Sequence, residues 1–101
     1  MKINIFNEYV NRVCGLYGIK EQELFKKTKV REIVDARHLL YYLCFKRPMK
    51  IIYIKTFMSE RGYDIGHSSI SHGIQMVTKL QQDDADYKRF ILGLQNAYEF
   101  Q

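Results

Sequence analysis

The chain has 101 residues, 47% of them hydrophobic, a single proline and a formal net charge of +5. That length suits one domain and not two ordinary ones, and the even composition argues against long disordered tails. No apolar run is long enough to cross a bilayer; the best candidate, HLLYYLCF, is short and flanked by Arg37 and Lys46.

In chain order, Ile5, Phe6, Tyr9, Val10, Val13, Leu16 and Tyr17 recur at helical spacing, with Gly18 as a C-terminal stop. A short second helix is expected over roughly Lys20 to Lys27. A third runs from about Arg31 to Lys46, with Ile33, Ala36, Leu40, Leu43 and Cys44 on one stripe. Pro48 breaks it and can open a fourth helix over about Met49 to Glu60, with Ile51, Ile54 and Met58 inward. SERGYDIG reads as a loop punctuated by Gly62 and Gly66. A fifth helix spans about His67 to Gln81. Ile70, Ile74 and Val77 form its apolar stripe, and Ser68, Ser71, His72, Gln75 and Lys79 lie on another side. Asp83 or Asp84 can cap a last helix that carries Tyr87, Phe90, Ile91, Leu94 and Tyr98 on one face. The expectation is an all-α single domain of about six helices spanning 1–101.

The positive charge is concentrated. From Lys26 to Arg61 there are ten Lys/Arg against three acids, a net of +7; the rest holds six basic and eight acidic residues, a net of −2. Such a patch attracts a polyanion, although a solvated lysine-rich surface has the same composition.

Metal chemistry is disfavoured by spacing. His67 and His72 are five apart, which turns their side chains roughly 140° from one another on a helix, whereas helical zinc pairs use i, i+4. Cys14 and Cys44 are too few for a disulfide framework and form no C-x-x-C pair, so they read as reduced core residues of a cytosolic protein. Met1 leads into KINIFNEYV, which is not a signal peptide. There is no G-x-S-x-G and no phosphate-binding G-x-x-x-x-G-K-[ST], and the acids of DDAD at 83–86 suit a helix N-terminus. No enzymatic activity and no cofactor are expected.

GHSSISHGIQMV invites a different reading. Short hydrogen-bonding side chains in the first turn of a helix can approach base edges closely, and helix N-termini favour phosphate. A shorter helix and a glycine-containing turn precede it, in helix-turn-helix order. Serines at a helix start are also ordinary caps. Gly73, costly in mid-helix, suggests close approach of the preceding helix.

Three stretches carry a family likeness. HSSISHGIQMV resembles the end of the signature of the bacterial replication initiator DnaA, in its C-terminal double-stranded-DNA-binding domain. There a histidine, two threonines, an aliphatic residue and a second histidine occupy the positions of His67, Ser68, Ser69, Ile70 and His72. REIVDARHLLYYL is similar to that family's long-helix motif, through Arg31, Val34, Ala36, Arg37, Tyr42 and Leu43. VCGLYGIKEQEL resembles its opening stretch. Together they span roughly Val10 to Leu80.

The resemblance implies an all-helical fold with a Trp-repressor-like helix-turn-helix whose fifth helix enters the major groove. By position, His67, Ser68 and Ser69 would contact bases or adjacent phosphates, with His72 beside them. Lys29 would reach the minor groove. Arg37 and His38 would contact the backbone, and Lys46 or Arg47 would lie near another such contact. Arg31 belongs to the same basic stretch, and Lys50 and Ile51 would open the first helix of the motif. Ile65-Gly66 replace the family's Arg-Asp, the turn is several residues longer, and both threonines are serines. The initiator's ATPase module has no counterpart here, so the resemblance implies a free-standing relative, a phage being one source, or a fragment.

The expected function is sequence-specific duplex binding in replication control or transcriptional regulation, in the cytoplasm at the nucleoid. The alternative is a non-catalytic protein-interaction module on the same fold. In that reading the C-terminal helix, with Tyr98 and Phe100, would make a homodimer or partner contact.

Overall fold

The apolar run inside REIVDARHLLYYLCFK folds into the helix around which the rest is built. In this computed structural model, which describes residues 1–99 and the side chains through Gln95, the elements are α1 (Lys2–Tyr17), α2 (Glu21–Leu24), α3 (Arg31–Lys46), α4 (Ile51–Glu60), α5 (His67–Asp83) and α6 (Ala85–Glu99). They pack into one all-helical unit of about 34 × 30 × 25 Å. Among the described residues no helix is long and apolar enough to cross a membrane.

Helix α3 is buried on more than the expected stripe. Leu39, Tyr41 and Tyr42 join Ile33, Ala36, Leu40, Leu43 and Cys44 in the interior, because α1, α2, α4 and α5 all pack on it. A helix surrounded in this way is apolar nearly all round. Cys14 and Cys44 are free and buried, and burial pushes both thiols up.

Helix α1 follows its sequence pattern: Phe6, Tyr9, Val10 and Val13 are at most 1% exposed. Leu16, expected inward, falls at the edge of that stripe and is 44% exposed. Gly18 ends the helix at φ 63°, ψ 37°, in the left-handed region glycine enters at little cost. Helix α2 is shorter than Lys20–Lys27. Beyond Leu24 the backbone leaves the helix, and its carbonyls turn to another partner, described below.

Helix α4 starts two residues later than Met49. Met49 itself is buried ahead of the helix, and Ile54 and Met58 are fully buried within it. The turn 61–66, with Gly62 at φ 87°, brings α5 back against α4. On α5, Ile70, Gly73, Ile74 and Val77 are buried. Asp84 is the residue that caps α6, its Oδ1 accepting hydrogen bonds from the Asp86 and Tyr87 backbone N–H at 3.0 and 3.1 Å. On α6, Ile91 is fully buried, while Phe90, expected on the same face, is 39% exposed. The inward stripe is Tyr87–Ile91–Leu94, and Phe90 sits on its rim. The Tyr98 side chain and Phe100 lie outside the described residues.

Candidate nucleic-acid interface

The first turn of α5 lies at the surface of the protein. His67, Ser68 and Ser69 are all exposed, and Ile70, the next residue, is fully buried and anchors the turn. Gly66 occupies the N-cap with no side-chain cap, and the first intrahelical bond runs from Ile70 N–H to Gly66 O at 3.4 Å. The serines are therefore not the caps of this helix. Among the described residues, neither hydroxyl is used in a hydrogen bond within the protein. Unspent donors and acceptors on short side chains can read base edges.

Gly73 reports close approach, but by α3 and not by the preceding helix. A Cβ at Gly73 would lie 2.8 Å from His38 Cδ2 and 2.9 Å from Tyr41 Cδ2. The crossing also brings two expected site residues together, the His38 and His72 rings meeting edge-on with centroids 5.8 Å apart. His38 lines a groove with Lys29 and Arg31 on one side and Met76, Val77 and Leu80 of α5 on the other.

Partial burial holds His38 below its ordinary value of 6.5, and the facing His72 lowers it further. Below 6.5 the unfolded chain takes up a proton that the folded chain resists, so stability is full above that pH and falls as pH drops through 6.5 toward the folded value. Thermal melts from pH 7.5 to 5.5 should show this decline, and His38→Gln should flatten it. An unchanged slope in the variant would mean that another group carries the dependence.

Arg37 is not where the resemblance puts it. Its side chain is 3% exposed. Nη1 donates to Leu24 O at 3.3 Å and Lys26 O at 3.0 Å, and Nη2 donates to Thr28 O at 3.1 Å. The guanidinium carbon lies 4.5 Å from the centre of the Tyr63 ring. A cation enclosed in this way cannot also touch a DNA phosphate. The signal was in the sequence: Arg37 stands four after Ile33 and three before Leu40, on the apolar stripe of α3. Tyr63, an aromatic in a polar loop, is the residue that sequence reasoning missed.

The remaining cations are spread out. Lys29 and Arg31 are exposed, Arg31 making only a long 3.8 Å pair with Asp35. Lys50 is exposed at the N-cap of α4, with Ile51 half-buried behind it. Arg47 is half-buried. Lys46 lines a separate depression with Thr78, Gln81 and Gln82, near the C-terminal end of α5. At 1.5 Å per residue that is about 21 Å along the axis from His67. Arg61 turns inward, pairing with Glu21 at 3.5 Å, donating from Nη2 to Asn7 Oδ1 at 2.6 Å and stacking on Phe25.

No family model, no curated protein and no solved structure matches this chain. The chemistry of the site thus rests on its own residues. Among the described residues, no group of three or more His, Cys, Asp or Glu side chains is placed to hold a metal ion. The ring that His72 meets belongs to His38 and not to His67.

Proposed function

We propose that this protein binds double-stranded DNA in a sequence-specific manner, with α4 and α5 acting as a helix-turn-helix and α5 as the reading helix. The observation that carries the reading is the first turn of α5. His67, Ser68 and Ser69 stand exposed on a buried anchor, the two serine hydroxyls unspent, in a chain whose positive charge is concentrated between residues 26 and 61. Lys29, Arg31, Lys46 and Lys50, with Lys55, would meet phosphates and set register, and the serines would read bases. The likeness to the DnaA C-terminal domain supports the same assignment. The protein would then act at the nucleoid, in replication control or transcription, without catalysis. A second reading, a protein-interaction module, is favoured by Phe90 and Leu92, which are 39% and 44% exposed on α6.

The test is binding to a duplex selected from a randomised pool and to random duplex, across a range of salt. With Arg37 withdrawn, four or five of the cations named reach phosphate, so log affinity should fall against log salt with a slope of about −4. Ser69→Ala should weaken the selected site by about 1–3 kcal/mol, toward the low end for a single hydroxyl, and leave random duplex nearly unchanged. Equal weakening of both duplexes would remove α5 as the reading head. An affinity indifferent to salt would leave the protein-interaction reading.

A further inference from the structure

We infer that Arg37 is a positioning residue whose guanidinium locks the 24–28 backbone to the turn between α4 and α5, so that the basic stretch Lys26–Arg31 and the first turn of α5 move as one unit. The locking is a property of the fold. Its consequence for DNA rests on the function proposed above.

The connection between α2 and α3 is anchored at its start by Phe25, buried in the core under the Arg61 guanidinium, and has few hydrogen bonds of its own beyond it. After Lys26 its local hydrogen bonds are Val30 N–H to Thr28 Oγ1 at 3.2 Å and, where α3 begins, Val34 N–H to Val30 O at 3.0 Å. Yet this stretch carries Lys26, Lys27 and Lys29, all exposed. Buried or half-buried carbonyls in an irregular segment need donors, and three of them, at Leu24, Lys26 and Thr28, converge on one side chain. A guanidinium, with five N–H donors fixed in one plane, serves all three carbonyls while leaving its flat face free to stack.

The same group reaches the other half of the interface. Its guanidinium packs on the Tyr63 ring, an arrangement that attracts a cation to the ring's electron-rich face. Tyr63 is itself tied to α4, its N–H donating to Met58 O at 3.0 Å, and it stands four residues before His67. Arg37 is therefore a physical link between the segment bearing Lys29 and the turn that launches α5, and the one that reaches past Phe25, where Arg61 stacks, to Lys26 and Thr28. Lysine would keep the charge but not the link, since an ammonium is a compact point donor with no plane to stack.

The experiment uses Arg37→Lys, Arg37→Met and Tyr63→Leu in the full chain, each well below its own unfolding midpoint. The first readout needs no DNA: the rate of tryptic cleavage after Lys26, Lys27 and Lys29, compared with cleavage after Lys55 and Lys79. Both Arg37 variants should raise the former about tenfold and leave the latter unchanged, because removing the lock opens the segment locally. Tyr63→Leu, the mildest change, should raise it as well, although Tyr63 makes no hydrogen bond to that segment.

The second readout is Lys29→Ala alone and combined with Arg37→Lys. Alone it should weaken random-duplex binding about threefold or more; combined, it should add almost nothing, because Lys29 is no longer held in place. Cleavage that rises evenly along the chain would reduce Arg37 to a general stability residue and overturn the inference. Tyr63→Leu without effect at Lys26–Lys29 would overturn the coupling. A wild-type protein that binds no duplex would remove the proposed function, and the proteolysis would still decide the lock.

Discussion

Arg37→Ala is expected to lower the stability of the folded protein by about 2–4 kcal/mol. Three carbonyls are deprived of their donor at once, and a buried or half-buried acceptor left unmade costs about 1 kcal/mol or more each. The aliphatic stem also leaves a gap on the Ile33–Leu40 stripe of α3, next to Tyr63. Offsetting this, the desolvation cost of enclosing a cation disappears, and the segment after Leu24 can turn two of its carbonyls to water. Urea denaturation followed by far-ultraviolet circular dichroism measures the change, read from the midpoint if the slope is unaltered. If Arg37 instead touched the DNA backbone, as the family resemblance implies, the pattern would be the opposite. Stability would stay within about 0.5 kcal/mol of the parent, as for an ordinary surface substitution, and the salt slope would become shallower by about one. The two outcomes do not overlap.

Gly73→Leu should cost about 3 kcal/mol or more, at the upper end of what overpacking a core does. Leucine is a better helix former than glycine, by somewhat less than the roughly 0.8–1 kcal/mol that separates glycine from alanine, so α5 by itself would gain from the change. The destabilisation comes entirely from the crossing with α3. Even the first carbon of a side chain meets ring atoms of His38 and Tyr41 at 2.8 and 2.9 Å. Tyr41 is 3% exposed and has nowhere to swing. The helices must part, which unpacks Ile70, Ile74 and Val77 as well. Gly73→Ala should be milder, because its roughly 1 kcal/mol of helix propensity opposes the clash. Thermal melts of both variants give the order. If Gly73→Leu melts at the parental temperature, the close crossing of α3 and α5 is wrong.

Both variants act where sequence reasoning and tertiary structure part company. The pattern of Gly73 pointed correctly to a close approach but not to the helix that makes it. The period of an apolar stripe says that a face is covered and never by what. The glycine marks α5 crossing α3, and that crossing is also what sets His38 against His72. No local rule links residues 38 and 72; only the packing does.

The helices, their order and the all-α class were legible because each helix except the single-turn α2 carries its own 3.6-residue apolar repeat, a local property. The left-handed stop at Gly18 and the acidic start of α6 were legible for the same reason, since caps act within one turn. The exposed serines were also legible as a group, though whether they were caps was not: that depended on Gly66 taking the cap and leaving the hydroxyls unspent. Arg37 was the misreading. A charged residue in a basic stretch suggests a surface, and its place on the apolar stripe of α3 argued against that from the start. What only the tertiary structure decided is where that charge goes. One buried guanidinium takes the carbonyls of Leu24, Lys26 and Thr28 and packs on the Tyr63 ring. A cation leaves water only where enough acceptors meet around it, and that meeting joins parts of the chain that are distant in sequence.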